Sequence, residues 1–182
     1  MNVDEASDQA RFTEVFVPYL VDAFRLARWL AGSRADAEDI VQEASMRAFK
    51  YIRGFSGGNP RAWVLTIVRN TSYSWLAKNR PKDVVFSDDL DQDHREQIEQ
   101  GAIQEMQTPE TALIAKLEAS LPAPFREVLV LREIHDLDYR TIAEVAALPI
   151  GTVMSRLARA RALLMRSPYL HPVDERAAGG GT

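Results

Sequence analysis

Asp138-Tyr139-Arg140-Thr141-Ile142-Ala143-Glu144-Val145-Ala146, then Ala147-Leu148-Pro149-Ile150, then Gly151-Thr152-Val153-Met154-Ser155-Arg156-Leu157-Ala158-Arg159-Ala160-Arg161 is the stretch that decides the fold. Two short helices joined by a tight turn form a helix-turn-helix. Ile142, Ala143 and Ala146 share one face of the first helix. Val153, Leu157, Ala160 and Leu164 share one face of the second, at helical spacing. Those faces pack inward. The opposite face of the second helix presents Thr152, Ser155, Arg156 and Arg159, and Arg140 stands on the helix before it. A helix lying in a major groove needs hydroxyls for phosphate and guanidinium forks for phosphate or guanine edges. The plainer alternative is the solvated face of a helical hairpin. It leaves the agreement between turn, apolar face and basic face unexplained.

The net charge of -4 argues against a nucleic-acid partner only until it is divided along the chain. Residues 53–82 carry 6 basic side chains and no acidic one, and residues 137–166 carry 5 basic and 2 acidic. Between them, residues 83–111 carry 1 basic and 9 acidic. Phosphate responds to local potential rather than to net charge. The 182 residues hold one or two domains, and a hydrophobic content of 46% supplies their cores. With no cysteine, disulfides and thiolate metal sites are excluded. The first residues are acidic and polar, so no leader peptide is expected, and no apolar run is long enough to cross a bilayer. A cytoplasmic location is expected.

Upstream, an apolar repeat of Phe12, Phe16, Leu20, Phe24, Ala27 and Leu30 predicts a helix over 11–31, stopped by Gly32. Ser33 and Asp36 resemble a capping box that opens a second helix over 34–53. Its apolar side runs through Ala37, Ile40, Val41, Ala44, Ala48 and Ile52. Its outer side carries Asp39, Gln42, Glu43 and Arg47, which periodicity alone reads as a solvated face. Gly54 to Asn59 form a loop, and Asn59-Pro60 starts a third helix over 60–79. That helix turns Trp63, Val64, Ile67, Val68, Thr71 and Trp75 inward and Arg61, Arg69, Asn70, Tyr73 and Lys78 outward. Residues 82–107 lose periodicity and read as an acidic linker, with a short helix expected near 93–106. Helices near 109–120 and 124–135 bring Leu113, Leu117, Phe125, Val128 and Leu129 into a second small core. The residues after 167 are expected to be disordered.

Cations interleaved with aromatics suit single-stranded DNA, where bases stack on rings and phosphates meet cations. Phe55, Asn59, Arg61, Arg69, Asn70, Tyr73 and Lys78 are the candidates, whereas Trp63 and Trp75 read as core. Catalytic signals are poor. His94, His135 and His171 are scattered without metal-pair spacing, and no phosphate-binding lysine pattern follows Gly57-Gly58. No metal, cofactor or enzymatic activity is expected.

Three blocks in this order carry a family resemblance. Asp36 to Glu43 resembles the polymerase-binding helix of region two in the extracytoplasmic-function (ECF) group of bacterial sigma factors. Pro60 to Asn70 resembles the segment that melts and reads the minus-ten element. Ile150 to Arg161 resembles region four, which reads the minus-thirty-five element. The resemblance spans about residues 11–167. It implies an all-α fold of two domains, region two at 10–80 and region four at 108–167, joined by the linker at 81–107 and followed by a disordered tail at 168–182. It implies that Asp39, Gln42, Glu43 and Arg47 meet the β′ clamp helices of core RNA polymerase, and that the linker threads towards the RNA exit channel. Promoter DNA and an anti-sigma factor are the other implied partners, with no membrane insertion. Met154 departs from the pattern, because many relatives carry arginine or lysine there. The alternative is a stand-alone helix-turn-helix regulator, which leaves the basic third helix and the acidic linker without a role.

Overall fold

The computed structural model describes residues 3–79 and 121–166, and the regular structure within them is helical throughout. The expected linker, the helices near 93–106 and 109–120, Leu113, Leu117, His94, His171 and the tail lie outside the described residues.

The helix expected over 11–31 is two helices: α1 (Val3–Val15) and α2 (Leu20–Ala31), separated by a 3-10 turn at Val17–Tyr19. Pro18 is the reason. It has no N–H to donate, and its ring clashes with the carbonyl four residues back. Gly32 closes α2 in the left-handed conformation, at φ 77°, where its N–H meets the Arg28 carbonyl at 3.0 Å. α3 (Arg34–Tyr51) starts as expected, with the Ser33 hydroxyl accepting from the Asp36 N–H at 3.2 Å. α4 (Pro60–Asn79) starts the same way, because the Asn59 side-chain carbonyl accepts from the Ala62 N–H at 3.1 Å. α2, α3 and α4 pack against one another and bury Leu26, Ile40, Ile52, Leu65 and Val68 completely.

The second set begins with α5 (Ala123–Leu129), which widens into a π-helical segment at Val130–Ile134. α6 (Tyr139–Ala146) and α7 (Ile150–Met165) follow and meet at 102°, within the range of a helix-turn-helix. Asp138 fixes the start of α6 by accepting from the Thr141 N–H at 2.9 Å and from its hydroxyl at 3.0 Å. Those bonds hold the Asp138 carboxyl below the ordinary carboxylate range. Ala147 turns the chain in the left-handed region at φ 54°.

The expected second core is not separate. Buried side chains form one continuous cluster from Phe16 through Leu65 and Val68 to Leu131, Val145 and Ala160. α4 lies directly against α6. A truncation in one helical set should therefore be felt in the other. All three tryptophans, Trp29, Trp63 and Trp75, lie in α2 and α4. Leu131→Ala, in the second set, should remove about 2–5 kcal/mol of stability. Urea unfolding followed by tryptophan fluorescence should move to lower denaturant, and an unmoved tryptophan transition would contradict the continuous core.

Candidate polymerase and nucleic-acid interfaces

The outer stripe of α3 is open. Asp39 and Gln42 are exposed, and Glu43 and Arg47 are paired with each other one turn apart. Met46 lies among them with 69% of its surface exposed, an apolar member of the stripe that charge patterning did not pick out.

Behind it, the loop between α3 and α4 builds a pocket of about 260 Å³. Phe55, Ser56, Gly57 and Asn59 line one side, and Trp63 and Thr66 of α4 line another. The Phe55 ring rests on Trp63 at 5.1 Å between centroids. Gly57 and Gly58 hold φ of 104° and 96°, a conformation that a side chain would strain. Arg11 of α1 donates to the Phe55 carbonyl and pins the loop from below. Asn59 is both a pocket wall and the cap of α4, so its side-chain carbonyl is already engaged. Trp63 is half-buried, and one part of it is core while another faces the pocket.

The remaining cations of α4 do not line the pocket; acidic partners hold two of them. Arg61 donates to Asp22 of α2 at 2.7 Å. Arg69 donates to both carboxylate oxygens of Glu127 on α5, and to the Asn70 side-chain carbonyl at 3.2 Å. This pair is nearly dry, with the Arg69 side chain 16% exposed and Glu127 2%. The Arg69 guanidinium also lies 4.8 Å over the Tyr73 ring. Burial, then the Glu127 charge, pushes the Tyr73 phenol well above its ordinary range. Asn70 and Lys78 remain exposed. Glu144 of α6 reaches the pocket and forms part of its wall. Sequence reading placed Arg69 and Tyr73 on an outer face, and the structure covers that face with α5 and α6. Glu127 and Glu144 were missed because both helices were read only for their apolar periodicity.

Near this seam, His135 is fully buried, with Nδ1 3.7 Å from an Asp22 carboxylate oxygen. Burial lowers its pKa to about 4, with Arg61 and Arg25 pushing the same way and Asp22 opposing them.

On α7, Ser155 and Arg159 are exposed, while Thr152 and Arg156 are partly covered. The Ser155 hydroxyl donates to the Thr152 carbonyl at 3.0 Å. Arg140 is exposed on α6. Arg161, on another side of α7, is engaged by Glu133 at 2.8 Å and ties the helix to the π-helical segment. Among the described residues, no cluster of histidine and carboxylates could hold a metal ion.

The sigma-70 region 2 family matches residues 15–82, and the sigma-70 region 4 family matches residues 111–164. The ECF RNA polymerase sigma-E factor of Escherichia coli (strain K12) is 31% identical over 169 residues, covering 86% of this chain and 86% of that protein. The chain belongs to the ECF sigma factors. The sigma-E factor of Haemophilus influenzae is 31% identical over 145 residues, covering 72% of this chain and 74% of its own length. Among solved structures, the sigma factor RpoE in complex with the anti-sigma factor NepR from Bartonella quintana is similar at a TM-score of 0.66 and 26% identity, covering 90% of this chain and 98% of that one. CnrH in complex with the cytosolic domain of CnrY shares the fold at a TM-score of 0.63 and 23% identity, covering 94% of both chains. In this sigma factor, the region two match takes in the α2–α4 bundle, and the region four match takes in α5 and the helix-turn-helix. No single helix among the described residues is long and apolar enough to cross a membrane.

Acid should loosen the seam between these regions. An unfolded imidazole titrates near 6.5, and His135 in the folded sigma factor titrates near 4. The unfolded chain therefore binds more protons between those values, so stability falls as the pH drops from 6.5 towards 4. Unfolding free energies at pH 7 and pH 5 should differ in the parent and differ less in His135→Gln. An equal pH dependence in both would show that the buried imidazole contributes nothing.

Proposed function

We propose that this sigma factor docks on the β′ clamp helices of core RNA polymerase through the α3 stripe, captures an unstacked minus-ten base at the loop pocket, and places α7 in the minus-thirty-five major groove. The pocket is the observation that carries the reading. An aromatic wall of Phe55 and Trp63 and a glycine backbone meet within the part of the chain that matches sigma-70 region 2. Bases stack on rings in such a groove, and the cations of α4 outside it serve the phosphates. Asp39, Gln42, Glu43 and Arg47 form the docking residues. Phe55, Asn59, Arg61, Arg69, Asn70, Tyr73 and Lys78 serve the melted strand. Arg140, Thr152, Ser155, Arg156 and Arg159 serve the duplex, where a recognition helix presents its N-terminal residues to base edges. Phosphoryl transfer belongs to the polymerase, and the chain works in the cytoplasm.

The described arrangement is the closed form of this protein. Glu127 occupies Arg69, and Glu144 walls the pocket, so acidic side chains of region four stand where phosphate and base would approach. The similarity, over 90% of this chain, to a sigma factor solved with its anti-sigma factor supports an anti-sigma partner here, and such a partner would act by holding the closed form. Transcription then requires region four to leave the α4 face.

Two experiments test this reading. Asp39→Ala with Glu43→Ala should weaken binding to core polymerase while helical content stays unchanged, because both residues lie on the outer side of α3. Unchanged affinity would remove the docking assignment. Asn70→Ala with Tyr73→Ala should impair strand opening more than closed-complex binding, since unstacking costs on the order of a few kcal/mol per base. Permanganate footprints on duplex and pre-melted promoters should show a defect on the duplex that the bubble partly rescues. Equal opening by parent and variant would confine these residues to the fold.

A further inference from the structure

α7 carries an apolar edge that its packing does not account for. Ile150 and Met154 are four residues apart and so share one side of the helix. They are 50% and 52% exposed, whereas Val153, Leu157 and Ala160 of the same helix are buried. Both lie in the first two turns, the part of a recognition helix that meets base edges. Gly151 stands between them. It is helical, its φ is not positive, and a Cβ built on it would meet nothing within 4 Å. No described neighbour needs the space it leaves. The bare backbone suits close approach by a body outside the chain. Beside this edge, the exposed Ser155 hydroxyl donates back to the Thr152 carbonyl.

The major groove presents donors, acceptors and one apolar group, the C5-methyl of thymine. Gly151 and Ser155 separate this edge from Arg159 around the helix, so the first turns of α7 offer DNA an apolar side and a cationic side. We propose that Ile150 and Met154 read thymine methyl groups in the minus-thirty-five element, with Gly151 letting the helix settle close to the base pairs. This specificity rests on the reading of α7 as the recognition helix.

The test uses the full chain bound to core polymerase. Tight-binding promoters are first selected from a library randomised over the minus-thirty-five element. Each thymine of the selected element is then replaced by deoxyuridine, which removes one methyl and nothing else. At one or two positions the parent should lose about fourfold in affinity per methyl. Met154→Ala or Ile150→Ala should abolish that loss at the position it reads, while Arg159→Ala should bind more weakly and keep it. Both apolar residues are exposed, so folding is not at stake, and circular dichroism checks it. Selected elements without thymine, insensitivity of the parent to deoxyuridine, or a loss that persists in both variants would each overturn the proposal while leaving α7 on DNA. Failure to select any element would instead overturn the reading of α7 itself.

Discussion

The buried pair between Arg69 and Glu127 is the constraint on which the rest of the arrangement depends. The Glu127 side chain is 2% exposed, and the Arg69 guanidinium beside it is its ion-pair partner. Such a pair adds little net stability compared with an apolar contact, but losing one partner leaves an uncompensated charge and typically costs about 3–5 kcal/mol. It therefore fixes how region four sits on α4 more than how tightly. Because Arg69 belongs to the face proposed for single-stranded DNA, the same guanidinium serves either Glu127 or phosphate. In the proposed reading, closure and strand capture exclude each other through this one side chain.

The α3 stripe lies elsewhere, and Asp39 and Gln42 stay exposed while the chain is closed. Docking through that stripe alone binds open and closed forms equally and cannot shift their balance. Opening needs a partner that distinguishes them, either by holding region four away from α4 or by supplying the nucleic acid that replaces Glu127. An anti-sigma factor has the opposite task and needs preferential affinity for the closed form.

Much of this was legible in the residues. Ser33 and Asn59 announced the starts of α3 and α4 through capping chemistry that is local in sequence. The helix-turn-helix was legible because Val153, Leu157 and Ala160 keep helical spacing. Pro18 was in plain view, yet the apolar repeat around it was strong enough to hide the break it makes. The seam between regions was not legible. Glu127 sits in a run with Phe125, Val128 and Leu129, and only a partner 58 residues away explains a carboxylate there. A charged residue within an apolar face was the available signal. The bond of Ser155 back to the Thr152 carbonyl and the exposure of Met154 depend on rotamers and neighbours that spacing cannot supply.

The central claim is that region four covers the minus-ten face in the free chain and leaves it on polymerase. Donor and acceptor dyes on exposed positions, Ala77 near the end of α4 and Ala162 near the end of α7, each replaced by cysteine in this cysteine-free chain, would report the distance between regions by energy transfer. The free protein should show one short distance, lengthened by Glu127→Gln and lengthened fully in the complex with core polymerase and promoter. The same short distance in the free and polymerase-bound protein would contradict the account.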